Sequence, residues 1–290
     1  MEGPVGPLRV EGQDRSPGVR KRSGGPAGSE LLLANHPSVV DHEAGQPKPT
    51  DTPSSAIRGL LIVDKPRGPT SMTVCARVRA ALRRGGAPKR VKVGHGGTLD
   101  PLATGLLVVL CGKATPLCDQ VMRGEKRYLA GVDLSAFTTT DDQEGDRTEV
   151  DVSTPPSRAA IQEALDGFVG NIMQRPPVFS AMKVNGRRAY ALARDGQDVQ
   201  LEPRPVVVHS IDVLEYQWPF AALDIKCGKG VYIRSIARDL GVALRTGGSL
   251  ASLRRTAVGP FSIDHATPVD ELPAVLTQAE LEPVDRWLAS

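Results

Sequence analysis

Residues 94–105 read Gly-His-Gly-Gly-Thr-Leu-Asp-Pro-Leu-Ala-Thr-Gly, and the apolar run Leu-Leu-Val-Val-Leu follows at once at 106–110. This pattern predicts that Asp100 lies on a tight loop that leads directly into a buried strand. Glycine permits close backbone approach and dihedral angles closed to other residues, while Pro101 keeps Asp100 out of the helical region. The loop therefore presents one carboxylate at the edge of the core. Composition alone allows two interpretations, an Asx turn in which Asp100 only caps the loop, and a reactive carboxylate.

Hydrophobic periodicity on both sides of this loop predicts an α+β protein. Strands are expected at 59–63, 128–134, 206–216 and 221–227, and helices after Thr70 or Ser71, after Ser157 and up to Leu244. Because strands and helices do not alternate regularly, we predict a mixed, largely antiparallel central sheet flanked by helices.

Three regions differ in composition from this core, which is expected to span residues 58–262. Residues 1–57 contain eight Pro, eight Gly and no aromatic residue, which predicts a disordered N-terminal tail. Residues 174–205 carry six basic residues against three acids, and we interpret them as a basic arm within the core region. Residues 263–290 form a short C-terminal remnant.

Composition excludes several classes of protein. A chain of 290 residues with 40% hydrophobic content can bury a sizeable core. No apolar run is long enough to cross a bilayer and no secretory signal is present, so a cytoplasmic protein is expected. The four cysteines lie far apart without a Cys-x-x-Cys pair, which argues against a zinc ribbon and a disulfide framework.

Charge is segregated along the chain although the net charge is only +3. Residues 58–92 hold ten Lys or Arg against one acid, and residues 226–258 hold seven against one, whereas residues 133–151 hold seven acids against Arg147. Two basic stretches on either side of the motif suit a polyanionic partner such as RNA. An ordinary solvated surface remains the alternative for each stretch taken singly.

The motif at 94–105 resembles the catalytic motif of the TruB family of tRNA pseudouridine synthases. Further segments agree with that family in order and spacing: Asp64-Lys65-Pro66-x-Gly68-x-Thr70-Ser71, Lys126-Arg127-Tyr128, Ser180-Ala181-Met182-Lys183, Lys229-Gly230-Val231-Tyr232-Ile233-Arg234 and Leu253-Arg254-Arg255. The resemblance covers residues 58–262 and implies the pseudouridine synthase fold, with 58–262 as the catalytic domain. Family members usually carry a C-terminal PUA domain, and residues 263–290 are too few for a full one.

The resemblance implies that the protein isomerises uridine to pseudouridine at position 55, in the T-loop of tRNA. Asp100 is then the catalytic carboxylate, which either attacks the ribose C1′ or assists departure of the base. Because the reaction imports no group and no electrons, neither a cofactor nor a metal is expected. The resemblance places Arg234 beside Asp100, where a cation keeps the carboxylate ionised.

The remaining candidate residues concern the substrate. Tyr128 is expected to stack on the extruded uridine, with Leu253 packed on the other side of the base. Tyr232 is interpreted as lying two residues before Arg234 on an alternating strand, so that it shares the same face and closes the pocket. His95 is expected to wedge into the RNA rather than to bind metal, because it lacks further ligands.

The last candidate site residues are basic. Lys65 is expected to support the motif loop or to contact a phosphate, with a simple solvated lysine as the alternative. Lys183, Arg187 and Arg188 in the basic arm are expected to grip the T-loop. Pro116 stands where relatives often have a lysine, so any contact of that lysine is lost here.

Two other functions stay open at this point. One is a pseudouridine synthase that acts on ribosomal RNA, and the other is a tRNA-binding or folding factor without catalysis. The leading hypothesis predicts the T-stem-loop of tRNA as the partner, no membrane association, no obligate protein partner and a monomer.

Overall fold

The computed structural model describes residues 57–288 apart from Ala181, Asn185 and Asp198. Its strands are β1 (Arg58–Lys65), β2 (Val93–His95), β3 (Thr104–Gly112), β4 (Lys126–Asp133), β5 (Ala136–Thr138), β6 (Arg147–Glu149), β7 (Gly170–Gln174), β8 (Lys183–Val184), β9 (Arg187–Arg188), β10 (Arg204–Gln217), β11 (Phe220–Cys227), β12 (Ser249–Val258), β13 (Phe261–Ser262) and β14 (Thr267–Pro268). Its α-helices are α1 (Ser71–Arg84), α2 (Cys118–Arg123), α3 (Arg158–Asp166), α4 (Ala189–Arg194) and α5 (Ile233–Leu244). The tail predicted at 1–57 lies outside the described residues except for Ile57.

One mixed sheet contains ten of these strands. The main order is β14-β1-β3-β12-β4-β11-β10-β7, with β2 added to β3 and β13 added to β12. The β1–β14 and β3–β12 pairs are parallel and the remaining pairs are antiparallel. The predicted α+β class with a mixed, largely antiparallel sheet is therefore confirmed.

Helix α1 begins where the sequence predicted, and its first two hydroxyl residues have different roles. The Thr70 hydroxyl accepts a hydrogen bond from the Thr73 N–H and caps the helix. Ser71 points inward instead, where its side chain is buried. The helix ends at Arg84, with Gly85 as its C-cap.

The two largest hydrophobic clusters pack helices against the sheet. The larger cluster joins α3 and α5 to β4, β10 and β11 through residues such as Ile161, Ile236 and Leu223. A second cluster joins α1 to β1 and β3 through Val78 and Val109. The loop that carries Asp100 contributes Leu99 and Leu102 to the larger cluster, and its flanking strands contribute Val93 and Leu107 to the second.

The C-terminal segment packs on the same body as the preceding residues. Leu60 of β1 and Glu282 exchange two backbone hydrogen bonds of 3.0 and 2.9 Å, and the Leu276 N–H donates to the Ala81 carbonyl at 3.1 Å. Leu276 and Leu281 are buried against α1 and β1. The chain after residue 262 therefore completes the core around β1 and α1.

Residues 174–205 contain the β8–β9 pair and α4, packed around a small cluster of Ala189, Leu192, Val199 and Leu201. These residues stand at the β10–β7 end of the strand order, while α1 and β2 stand at the β1–β3 end. Among the described residues, no helix is both long and apolar enough to span a lipid bilayer.

Candidate active site

Asp100 lies on the loop between β2 and β3, with its side chain 40% exposed. Its Oδ2 atom is 2.9 Å from Nη2 of Arg234, which is almost fully buried. Across the part of the chain that the structure describes, no backbone N–H of this loop donates to the Asp100 carboxylate, so the Asx-turn interpretation does not fit. The loop presents a solvent-accessible carboxylate fixed by one buried guanidinium.

The Arg234 guanidinium is held on several sides. Nη1 donates to the Thr140 carbonyl at 3.2 Å and Nη2 donates to the Phe179 carbonyl at 3.0 Å. A second carboxylate, Asp142, approaches Nη1 at 3.4 Å and is itself buried. Arg234 is thus shared between one exposed acid and one buried acid, which balances a cation that would be very unfavourable if buried alone.

The turn around Asp142 is built to aim this second acid at Arg234. Its Oδ1 atom accepts hydrogen bonds from the Thr140 hydroxyl at 2.5 Å and from the Glu144 N–H at 3.0 Å. The neighbouring Asp141 pairs at 2.8 Å with Arg238, one turn further along α5 than Arg234. The sequence predicted no role for Asp142, and the only signal was the density of acids between 133 and 151.

Register places two buried cations in one row across the sheet. Lys65 of β1 pairs with Gly105 of β3, Gly105 pairs with Arg255 of β12, and Arg255 pairs with Tyr128 of β4. Gly105 has φ = +98°, and a Cβ atom there would lie 2.3 Å from the Arg255 carbonyl oxygen. Only glycine fits between the two cations.

Each buried cation holds the carbonyl groups of a loop. Arg255 donates to the carbonyls of Leu106, Gly97 and Thr98 at 2.8, 3.1 and 3.4 Å. Lys65 donates to the carbonyls of Pro66 and Pro69, each at 2.9 Å. Since the Lys65 side chain is enclosed, the structure favours the interpretation that it supports the loops over that of a solvated lysine. Arg255 belongs to the Leu253-Arg254-Arg255 motif, but no role was predicted for it.

The start of α1 and the loop before it are bonded to the Asp100 loop on both sides of Asp100. The Ser71 hydroxyl accepts from the Leu99 N–H at 2.8 Å and donates to the Leu99 carbonyl at 3.0 Å. The Gly68 N–H donates to the Pro101 carbonyl at 2.8 Å. Asp100 therefore lies between two residues whose backbone positions are fixed, and this preorganises the carboxylate.

Burial shifts the proton equilibria around this row. It lowers the pKa of Lys65 to about 8, although the Asp100 charge opposes the shift. It raises the pKa of Tyr128, and the Arg255 charge opposes this. Burial and the Arg255 charge together lower the pKa of His95, so its imidazole is neutral at pH 7. The His95 Nδ1 atom accepts a hydrogen bond from the Gly97 N–H at 3.4 Å.

The other predicted residues are placed as follows. Tyr128 is buried in the larger cluster together with Leu99 and Leu102, and Leu253 packs against that cluster half-buried. The Lys183 and Arg188 side chains lie outside the described part of the structure. In the same arm, Arg187 pairs with Asp195 at 2.6 Å.

The expected strand context of Tyr232 is wrong. Strand β11 ends at Cys227, and Tyr232 is the N-cap of α5, so a two-residue spacing does not place it on the face of Arg234. Its N–H donates to the Gln174 side chain at 2.8 Å, and the Arg204 guanidinium lies 5.2 Å from its ring centroid. A turn with Gly230 at φ = +87° separates β11 from α5. The alternation of apolar residues at 231–234 had instead indicated a strand.

No cluster of three or more His, Cys, Asp or Glu side chains suited to a metal ion occurs within the described residues. The acids that meet at Arg234 are instead paired with arginine. What the site offers chemically is an accessible carboxylate, a buried cation beside it and a buried tyrosine in the adjoining row.

Comparison with known proteins gives consistent matches over most of the chain. The family model of the TruB family pseudouridylate synthase N-terminal domain matches residues 84–233, and that of the tRNA pseudouridylate synthase B C-terminal domain matches residues 234–289. The chain is 42% identical over 228 residues to tRNA pseudouridine synthase B of Phocaeicola vulgatus, covering 78% of this chain and 96% of that protein. It is 44% identical over 238 residues to the protein of that name from Arthrobacter sp., covering 80% and 76%.

A solved structure, a crystal structure of a Cbf5-Nop10-Gar1 complex, contains a chain that is 30% identical with a TM-score of 0.56. The match covers 74% of this chain and 53% of that chain.

Proposed function

Because the chain belongs to the TruB family of pseudouridine synthases, we propose that it converts uridine 55 in the T-loop of tRNA to pseudouridine, with Asp100 as the catalytic carboxylate. Relatives at 42–44% identity bear the name tRNA pseudouridine synthase B. The observation that carries the proposal is the exposed Asp100 carboxylate 2.9 Å from the buried Arg234 guanidinium.

The chemistry requires few groups. The bond between N1 of uracil and the ribose C1′ breaks, the base turns, and a new bond forms from C1′ to C5 while the C5 proton is lost to a base. A carboxylate serves this reaction either by attacking C1′ or by assisting departure of the base. Asp100 suits both routes, since its backbone is fixed on each side while its side chain faces the solvent.

Arg234 orients Asp100 and places a buried positive charge 2.9 Å from its carboxylate. Asp142 shares the same guanidinium, so Arg234 stays buried and charge-balanced when Asp100 moves towards the sugar. We therefore assign Asp142 as a positioning residue that acts through Arg234.

The uridine must leave the folded T-loop to reach Asp100, and an extruded base needs surfaces on which to stack. Tyr128 and Leu253 supply an aromatic and an aliphatic surface from the adjacent strands β4 and β12. His95 is neutral and near the entrance of the loop, which suits a wedge that replaces the base. Lys65 supports the loop that precedes α1 through the Pro66 and Pro69 carbonyls. Lys183, Arg187 and Arg188 would contact the RNA from the arm. Tyr232 would close the side of the pocket away from the Asp100 loop.

Residues 58–262 act as the catalytic domain in this proposal, with residues 174–205 as an RNA-gripping arm. A tRNA substrate also implies a cytoplasmic location. Activity is expected from the monomer without a protein partner, and size-exclusion chromatography with light scattering checks the oligomeric state.

The test compares wild type with Asp100→Asn on T-stem-loop RNA and on full-length tRNA, with carbodiimide detection of pseudouridine. The substitution removes the nucleophile with little change in shape, so product formation should fall roughly 10³-fold or more while RNA binding persists. Asp119→Asn, at an exposed acid of α2, is the matched control and should keep full activity.

Wild-type turnover by Asp100→Asn would contradict the catalytic assignment. Turnover of ribosomal RNA fragments but not of tRNA would favour the ribosomal alternative. Tight tRNA binding by wild type without any product would favour a binding or folding factor.

A further inference from the structure

An open pocket of about 580 Å³ lies on the surface between α1, β2 and the start of α2. Four basic side chains line it: Arg79, Arg83, Arg90 and Lys92. The remaining lining residues are apolar or neutral, and none of the residues that form the pocket is acidic. The proposed function above makes no use of this pocket.

The cations in this pocket differ from nearby arginines in their partners. Arg77 on α1 pairs with Asp270 at 3.0 Å, and Arg84 donates to the Ala274 carbonyl at 2.6 Å. By contrast, no carboxylate within the described residues pairs with Arg83, Arg90 or Lys92, and all three are exposed. Like charges gathered without acids repel one another, so the pocket has a built-in affinity for an anion.

Arg79 fixes this arrangement to the sheet. Its guanidinium donates to the Val93 carbonyl at 3.0 Å, which satisfies the free edge of β2. Arg79 is half-buried and thus positioned, whereas the other three cations reach into solvent. The pocket therefore combines a rigid wall with movable charged groups, as suits an extended phosphate backbone better than a small enclosed ligand.

The position of the pocket relates it to the catalytic loop. Val93 and Gly94 line the pocket, and Gly94 is directly followed by His95 and the loop that carries Asp100. The basic arm at 174–205 stands at the opposite end of the strand order. The three-residue strand β2 thus joins the pocket directly to the loop that carries Asp100, and a strand rises only about 3.3 Å per residue.

We infer that the pocket of Arg79, Arg83, Arg90 and Lys92 binds the phosphate backbone of the tRNA substrate next to the nucleotide that enters the Asp100 site. This inference rests on the proposed function and adds a second RNA-binding surface to it. The contact is to phosphates and not to base edges, because the pocket offers only cations and small or aliphatic groups. It contributes to affinity and not to the chemical step.

The experiment measures tRNA binding by fluorescence anisotropy at several salt concentrations for wild type and for Arg83→Gln/Arg90→Gln/Lys92→Gln. Loss of up to three phosphate contacts should make the negative slope of log association constant against log salt concentration shallower by about 2–3. It should also weaken binding roughly 10- to 100-fold near physiological salt. The kcat at saturating tRNA should stay within about twofold of wild type, since the pocket does not touch the reacting atoms.

Two control variants separate pocket chemistry from general charge. Arg77→Gln/Lys89→Gln removes charges from the same segment outside the pocket and should change the slope much less. Arg83→Lys/Arg90→Lys/Lys92→Arg keeps every charge and should keep the wild-type slope.

An unchanged slope in the triple Gln variant, or an equal change in the Arg77/Lys89 control, would overturn the inference. Failure of the proposed function is a separate outcome: wild type would then form no pseudouridine, whatever the pocket variants do to binding.

Discussion

At the scale of single residues, the position of Asp100 depends on a hydroxyl at the first residue of α1, which holds the residue that precedes Asp100. Ser71 bonds both the N–H and the carbonyl of Leu99. Ser71→Ala leaves two buried backbone groups without partners and should lower the free energy of unfolding by about 1–3 kcal/mol. We expect kcat to fall roughly tenfold or more with KM little changed, because the carboxylate loses its alignment and not its charge.

Thr70→Ala is the matched control for Ser71→Ala. The Thr70 hydroxyl caps α1 and does not reach the Asp100 loop, so its loss should lower stability by about 1 kcal/mol and leave kcat unchanged. Steady-state kinetics and urea unfolding of both variants make the comparison. If the two variants lose kcat equally, Ser71 acts only through the stability of α1.

Some residues of the site can be predicted from short sequence motifs, and others cannot. Asp100 and Arg234 were predicted because short motifs mark them, and the structure brings them together at 2.9 Å. Asp142, Ser71 and Arg255 were missed in their roles because those roles exist only through contacts with distant segments. The bond from Arg255 to Gly97, for example, joins residues 158 positions apart.

At the scale of elements, Gly105 decides whether β3 can lie against β12. Gly105→Ala places a Cβ atom 2.3 Å from the Arg255 carbonyl oxygen and also strains a residue at φ = +98°. Gly170 of β7 has a similar φ of +100°, but nothing lies within 4 Å of a Cβ atom built there. The two glycines therefore separate steric clash from backbone strain.

We expect Gly170→Ala to lower the free energy of unfolding by about 1–2 kcal/mol from strain alone. Gly105→Ala should lower it by about 3 kcal/mol or more and abolish most activity, since β12 must shift and Arg255 moves with it. Urea unfolding monitored by circular dichroism checks both. Equal losses in the two variants would mean that the β3–β12 contact adjusts without strain.

Element boundaries show where sequence patterns succeed. The helix after Thr70 and the strands near 59–63 and 128–134 were predicted correctly. The helix has several turns of apolar periodicity, the strand near 128–134 alternates, and the strand near 59–63 is a continuous apolar run. The context of Tyr232 was misread because four residues of alternation also fit the entry to an amphipathic helix. The three-residue strand β2 has too few residues for any period to be visible.

At the scale of the whole molecule, strand order could not be predicted from the sequence. β12 lies far along the chain yet inserts between β3 and β4, parallel to the first and antiparallel to the second. Hydrophobic patterns identify strands but not their neighbours, since pairing depends on the collective packing of the core. This insertion carries Leu253 and Arg255 to the site.

The buried thiols lower the free energy of unfolding of the protein at alkaline pH. Burial raises the pKa of Cys75 to about 11 and those of Cys111 and Cys227 to about 12, from 9.0 for an unperturbed thiol. Above pH 9 the unfolded chain therefore loses thiol protons that the folded chain keeps, so the free energy of unfolding falls as pH rises. Lys65 and Lys126 act in the opposite direction between pH 8 and 10.5, because burial lowers the pKa of each to about 8.

Cys227→Ala removes one of these thiols and keeps both lysines. The charge of Lys126 opposes the rise of the Cys227 pKa only in part, so the thiol still resists ionisation. At pH 8 the variant should be less stable by about 1 kcal/mol, owing to the lost sulfur in the core. Between pH 9.5 and 11.5 the free energy of unfolding of wild type should fall by about 1.4 kcal/mol per pH unit relative to that of the variant, since only wild type carries the thiol that resists ionisation. The variant should therefore become the more stable of the two proteins within this range. Urea unfolding at three or four pH values measures the difference, and a value that stays constant with pH would show that Cys227 ionises in the folded protein as easily as in the unfolded chain.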